Sequence, residues 1–507
     1  MRVFVFAIGG TGSRVLTSLI MQLAAGARPV DSDGNLIKDL SIVPIIVDPH
    51  EGNAGLLQAT ELLDQYRTIH NRIYGKEELP NEGFFSVKIE TLKEINPKCV
   101  GSDKFFFKMQ RVSDNKFDKF IGLNDMSQAN KLFCEMLFSK DELCTSMNEG
   151  FYGSPNIGCV ALNEFKNSPD FEAFRSAYNE GDKLFLIGSI FGGTGASGLP
   201  LFISSIRDLA HIENEDGGKD ICSKAPIGAL IVMPYFSINR DEESPINDSD
   251  FLIKTRSALR YYDSNLNRYI NNVYYISDPQ GTQAFENDPG NVNGQKGNKA
   301  HVVEFAGALS IFDFISSDKI GCVEDGQGRW VAEEQSFKAY GLEKDSNIVS
   351  FQELSKSTNS LVMVPMMSFY ILRNFMENNL LDFLDKPFAK KFEPKIEKSV
   401  NSREWLAFFA KYDQWVDEIR SHGSNAHTLD LFNSIKDEYT SAFKNISTNK
   451  GVLWGVQKFN STDLQKKLDK VAEKYQNLSP SEKRWFTIAF FAINEMINEK
   501  YDINTLK

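Results

Sequence analysis

Two stretches decide how this chain is read: residues 3–13, VFVFAIGGTGS, and residues 184–198, LFLIGSIFGGTGASG. Each is a short apolar run that breaks into a glycine turn and continues as a helical pattern, over 13–24 in the first case and from near Ser197 in the second. A continuous apolar run of this length, bounded by turn residues, reads as a strand buried on both faces. Glycines let the backbone turn sharply and approach a ligand closely. The helix that follows offers unpaired N–H groups and a positive dipole end to an anion, so each junction suits phosphate.

Working outward, residues 42–47 form another buried run that ends at Asp48-Pro49-His50. Residues 229–233 and 272–276 are further strands, ending in turn chemistry at Pro234 and at Asp278-Pro279. Strands that alternate with helical patterns predict an α/β fold, a doubly wound parallel sheet with its loops gathered at the strand C-termini. A helical insertion is expected over about 60–145, including the charged, Phe-rich residues 104–120. The Asn- and Gly-rich residues 287–298 read as a loop before an apolar-periodic helix at 300–315. Long amphipathic patterns follow at 405–420, 431–445, 464–475 and 482–500, and all five tryptophans lie beyond residue 328. The expected division is therefore 1–298 as a nucleotide-binding domain, 299–327 as a linking helix and loop, and 328–507 as a mostly α-helical C-terminal domain.

Composition narrows the function. At 507 residues the chain exceeds the ~100–200 of one domain, so at least two cores are expected. Acidic residues outnumber basic ones by 68 to 56, a formal net charge of -12, and no direct nucleic acid binding is expected. Cys99, Cys134, Cys144, Cys159, Cys222 and Cys322 include no C-x-x-C pair, which predicts reduced thiols and a cytoplasmic location. The first apolar run is interrupted at Gly9, so no signal peptide is expected, and no run approaches the ~18 apolar residues of a transmembrane segment.

The glycine turns match no common phosphate loop in full. A Walker loop needs lysine after its last glycine, and neither Gly12-Ser13-Arg14 nor Gly195-Ala196-Ser197 supplies it. The dinucleotide fingerprint, with an acidic residue ending the second strand, is met in part by Gly10, Gly12 and Asp48. A hydrolase elbow, G-x-S-x-G, is absent around Ser189 and Ser197.

The segment Phe191-Gly192-Gly193-Thr194-Gly195-Ala196-Ser197-Gly198 resembles the G-G-G-T-G-[ST]-G signature of the tubulin and FtsZ superfamily. Other pieces follow in the same order. Ile8-Gly9-Gly10-Thr11-Gly12 is similar to the first nucleotide loop, Ile45-Ile46-Val47-Asp48 to the strand ending in N-T-D, and Gly153-Ser154-Pro155-Asn156-Ile157-Gly158 to the third loop. Met233-Pro234-Tyr235-Phe236 resembles the T-x-P-F strand end, and the helix at 300–315 takes the place of the central helix. The resemblance covers roughly residues 1–320 without the insertion, and implies a Rossmann-like tubulin/FtsZ-type nucleotide-binding domain.

It further implies GTP or GDP, with Mg2+ held through phosphates and water and not by a protein metal site. The nucleotide-binding residues it implies are Gly9, Gly10, Thr11, Gly12, Ser13, Gly153, Ser154, Asn156, Gly192, Gly193, Thr194, Gly195, Ala196 and Ser197. Asp48 would hold a magnesium-bound water or a ribose hydroxyl, or else simply end a strand. Asn298 and His301 are polar candidates for base and ribose; the alternatives are a helix N-cap for Asn298 and a hydrogen-bonded structural role for His301. Glu304 reads as an ion-paired helix carboxylate. In the superfamily an acidic loop after the central helix completes a neighbouring subunit's site, and Asp318 is the candidate catalytic acid here, although N-x-D-x-x-D is not reproduced.

The resulting expectation is a slow or assembly-dependent GTPase that self-associates, as a head-to-tail polymer or a closed oligomer, or acts as a switch that offers its helical C-terminal domain to a protein partner. Two alternatives stand beside it: nucleotide binding without turnover, and an NAD(P)-binding oxidoreductase.

Overall fold

The computed structural model describes residues 1–50, 52–75, 82–97, 105, 107, 112, 115–147, 151, 154–211, 220–235, 248–278, 298–317, 320–341, 348–349, 356–384, 401–420, 428–429, 432–433, 439, 442–443, 459–478 and 482–501. In chain order the elements that build the site are β1 (Arg2–Ile8), α1 (Gly9–Ala24), β2 (Ser41–Val47), α2 (Ala54–Tyr74), β3 (Lys88–Ile89), α3 (Pro155–Leu162), β4 (Lys183–Ser189), α4 (Gly193–Asp208), β5 (Ile227–Val232), α5 (Asp248–Asn265), β6 (Asn272–Ser277), α6 (Val302–Ser316) and β7 (Ser336–Gly341). The seven strands form one sheet in the order β3-β2-β1-β4-β5-β6-β7, and every neighbouring pair is parallel.

β1 lies at the hinge of this order. It pairs with β2 on one side, Ile8 opposite Val47, and with β4 on the other, Ala7 opposite Ile187. The chain winds outward from β1 through β2 and β3, then returns to wind the opposite way from β4. A crevice opens outside the strand C-termini where winding reverses, and ligands of such sheets bind there.

Continuous burial of β1, β2 and β4 follows from helices covering both faces of the sheet. On one face Phe6 packs edge-on against Phe174 and tilted against Phe202 of α4, at 5.0 and 5.5 Å between ring centroids. On the other, α6 approaches α1 and β5 so closely that a Cβ on Gly307 would lie 3.5 Å from Val15 and 2.9 Å from Leu230. Pro44, within β2, has no N–H to donate. The outer edge of β2 is paired before it, through Ile42, and after it, where Ile46 bonds to Phe105 and Phe107.

The structure departs from the sequence expectations in several places. Phe105 and Phe107 each form a backbone hydrogen bond with Ile46 of β2, inside the stretch expected to be helical. α4 begins at Gly193, four residues before Ser197, so the second glycine turn lies within its first turn. β7 lies beyond residue 328, in the region expected to be mostly helical, and a short hairpin pairs Cys322–Glu324 with Trp330–Ala332. Phe432 and Phe443 form an isolated antiparallel bridge where the 431–445 helix was expected; the apolar spacing there serves ring stacking, with Tyr370 flat on Phe432 at 4.2 Å. No helix among the described residues is long and apolar enough to cross a membrane.

Chain length led to an expectation of at least two cores; among the described residues the buried side chains of both halves join one hydrophobic cluster. The later helices α7 (Lys356–Leu384), α8 (Asn401–Arg420), α9 (Ser461–Lys474) and α10 (Glu482–Lys500) share a hydrophobic core with the sheet layer. Phe84 meets Phe369 and Phe490, and Phe85 meets Phe369, Phe408 and Phe486. Trp415 Nε1 donates to Ser18 Oγ at 3.3 Å. Phe85 holds a left-handed backbone, φ 54°, a conformation costing roughly 1–2 kcal/mol that its fully buried ring offsets. We therefore predict that Phe85→Ala lowers stability by about 3–5 kcal/mol in urea denaturation and does so in one transition. Selective loss of the C-terminal helices would contradict the shared core.

Candidate functional site: a rim of helix N-termini

Three helix starts converge at the point where winding reverses, and glycines let them do so. Gly9 has φ +74°, and a Cβ there would lie 3.4 Å from both Thr194 Cβ and Gly195 N, so the two glycine turns touch. A Cβ on Gly12 would lie 2.7 Å from Ala7 C and 3.2 Å from Ile187 O, because α1 sits directly on the ends of β1 and β4. One on Gly195 would come within 2.6 Å of Ser189 N, which seats α4 in the same way. α3 closes on α4: a Cβ on Gly158 would lie 2.9 Å from Gly193 O and overlap Ser197 Oγ. Tyr262 Oη, from α5, donates to Ala196 O at 2.9 Å and braces the start of α4.

The N-termini of these three helices differ from those of five other described helices. Asn53, Ser127, Ser168, His301 and Asn460 each cap a described helix of eight or more residues by accepting N–H bonds with the side chain. α1, α3 and α4 begin at Ile8, Ser154 and Gly192 with no side-chain cap and no acidic residue in the first turn. The first N–H groups of a helix have no intrahelical partner. Here they belong to Gly9, Gly10 and Thr11, to Asn156 and Ile157, and to Gly193, Thr194 and Gly195, and none of the three first turns carries an acidic side chain against its positive dipole end. Backbone donors gathered in this way suit an anion chemically.

This geometry sorts the residues proposed from sequence. Gly9, Gly10, Thr11, Gly193, Thr194 and Gly195 lie on the open first turns, with Gly192 as the N-cap of α4. Gly12, Ser13, Ala196 and Ser197 lie one step further in. The Ala196 N–H is bonded to Gly192 O, and Ser13 and Ser197 return their hydroxyl protons to Gly9 O and Gly193 O, so these groups serve the turns themselves. Ser154 is the N-cap residue of α3, and the Asn156 side chain is held by Glu142 Oε1 at 2.9 Å. Gly153 and Asp318 lie outside the described residues.

Of the two readings open for His301, the structure shows the hydrogen-bonded structural role. Its ring is fully buried, it is the N-cap of α6, and Nδ1 accepts the Val303 N–H at 3.1 Å. Asn298, three residues earlier, is therefore not that helix's N-cap; it is half-buried. Glu304 completes the capping box through the His301 N–H and is ion-paired as expected, with Arg14 at 2.6 Å.

Asp48 directly follows Val47, the residue that pairs with Ile8 at the end of β1. Only 5 % of it is exposed, and its one hydrogen bond among the described residues comes from the His50 N–H to Oδ1 at 3.0 Å. Burial pushes this carboxyl up to about 7, against the His50 bond. A buried carboxylate at this sheet edge suits a ligand hydroxyl or a hydrated cation. Among the described residues no group of three His, Cys, Asp or Glu side chains could hold a metal ion.

Sequence reasoning missed Arg14, Asn53 and Tyr235 as site residues. Arg14 Nε donates to Glu304 Oε1, and its Nη2 donates to Tyr235 Oη at 2.6 Å. Burial disfavours the guanidinium charge, but Tyr235 and Glu304 outweigh it and hold the pKa above the ordinary value. Asn53 caps α2, and its Nδ2 would lie 3.3 Å from a Cβ on Gly10. The available signal was position: Arg14 directly follows the first glycine turn. Compared with models of known protein families and with curated proteins, the chain matches none.

Two predictions follow from the packing and the charge. Gly12→Ala presses a methyl onto backbone and lowers stability by about 1–3 kcal/mol in urea denaturation. For Asp48, the folded protein between the ordinary carboxylate range and about pH 7 keeps a proton that the unfolded chain has lost. The stability it contributes is intact at acid pH and is lost as pH rises through about 7. Asp48→Asn should therefore match the wild type near pH 3, below the ordinary carboxylate range, and exceed it by a margin that grows up to about pH 7 and then holds; a difference independent of pH would contradict this account.

Proposed function

We propose that the rim binds the polyphosphate of a nucleotide, and that the nucleotide is GTP or GDP. The observation that carries the first part is the convergence of three uncapped helix N-termini at the switch point of a parallel sheet. Such groups bind phosphate oxygens through fixed N–H bonds and need no basic side chain, which is consistent with an acidic protein. The guanine assignment rests on the collinear resemblance to the tubulin and FtsZ superfamily, which also supports self-association. Mg2+ would be held by phosphate oxygens and water, with Asp48 as the nearby carboxylate. Hydrolysis requires a positioned water, so the proposal is binding first, with turnover conditional on assembly.

A dinucleotide is the second reading, and one observation favours it. The order 3-2-1-4-5-6 is that of dinucleotide-binding sheets, in which an acidic residue at the end of the second strand takes ribose hydroxyls, as Asp48 is placed to do.

Titration calorimetry with GTP, ATP and NADH tests both readings. We expect GTP to bind and NADH to fail to displace it. A Cβ on Gly10 meets only the ends of the Asn53 and Arg14 side chains and no backbone, so Gly10→Val should fold while reducing GTP affinity by about tenfold or more. Binding of NADH alone would establish the second reading; unaltered GTP affinity in Gly10→Val would remove the loop from the site.

A further inference from the structure

Arg14 lies on the second turn of α1, where the Cα–Cβ bond tilts toward the helix N-terminus and carries the side chain back to the first turn. Three of its five N–H bonds are committed: Nε to Glu304 Oε1 at 2.6 Å, and Nη2 to Tyr235 Oη at 2.6 Å and Thr11 Oγ1 at 3.4 Å. Tyr235 itself donates to Glu304 Oε1 at 2.7 Å. Nη1 has no partner among the described residues. It would lie 3.7 Å from a Cβ on Gly10, and the side chain is 12 % exposed.

We propose that Arg14 is a specificity-determining residue of this rim, whose unpaired Nη1 edge takes a phosphate oxygen of the polyphosphate bound at the first turn of α1. This rests on the nucleotide reading above and adds a side-chain contact to a site otherwise made of backbone. Glu304 and Tyr235 fix the guanidinium before any ligand arrives, so little side-chain freedom is lost on binding. Glu304 is only 1 % exposed and already balances the charge, so Arg14 acts through directed N–H groups more than through net attraction. A lysine is a point charge on a flexible stem, and one ammonium cannot hold Glu304 and present a second fork edge to the rim. Because Glu304 also closes the capping box of α6, the same guanidinium ties the ligand's position to the start of that helix.

The test is competition against a fluorescent GTP analogue by GTP, guanosine and inorganic tripolyphosphate, with thermal unfolding as the fold control. Arg14→Lys should weaken GTP and tripolyphosphate by about 10–100-fold and leave guanosine unchanged. Tyr235→Phe keeps the charge and the ring but frees the anchor, and should show the same pattern with a loss of about three- to tenfold. If Arg14→Lys does not fold, Tyr235→Phe decides the matter. Wild-type affinity for tripolyphosphate in the folded variants overturns the assignment, as does an equal loss for guanosine, which marks a purely structural role. Failure of the wild type to bind any of the three overturns the nucleotide reading, and the role of Arg14 falls with it.

Discussion

Everything at the rim depends on how closely two helices approach the ends of two strands. α1 rests on β1 and β4 because Gly12 has no side chain to meet Ala7 and Ile187, and α4 rests on β4 because Gly195 has none to meet Ser189. A single methyl at either position would push a helix start away from the sheet. With both helices seated, Gly9 touches Thr194 and Gly195, and the open first turns face one crevice. The cost is a set of unpaired N–H groups that no side chain caps, and that is the property an anion can use.

The charge pattern fits this division of labour. The protein carries a formal net charge of -12, so long-range attraction does not bring an anion to it. Local potential at the rim comes instead from three dipole ends and from one arginine held by a buried carboxylate. Asp48 is the opposing element: a buried carboxyl at the end of β2, raised to about 7. On the proposed reading, the backbone N–H groups would take phosphate oxygens and Asp48 a ligand hydroxyl or hydrated cation.

Much of the fold was legible because the apolar runs were short, continuous and ended in turn residues. The runs at 3–8, 42–47, 184–189, 229–233 and 272–276 correspond to β1, β2, β4, β5 and β6, and the helix expected at 482–500 spans Glu482–Lys500. The two glycine turns were correctly placed at one sheet edge. β7, SFKAYG, was not legible because its alternating polar residues hide a strand that closes the sheet. The bridge between Phe432 and Phe443 was read as a helix because aromatic spacing alone does not separate ring stacking from helical periodicity. Within the site, periodicity could not show that Ser13 and Ser197 would bond back to their own helices, or that His301 would become an N-cap. Those outcomes depend on which N–H groups are already used. Arg14 was passed over because it is not the lysine of a phosphate loop, although its partner Glu304 lies 290 residues away and no local pattern could pair them.

The most direct measurement is a crystal structure of the protein with a slowly hydrolysed GTP analogue. The account predicts phosphate oxygens within hydrogen-bond distance of the N–H groups of Gly10 and Thr11 on α1 and of Thr194 and Gly195 on α4. An analogue bound elsewhere while these N–H groups face only water would contradict it.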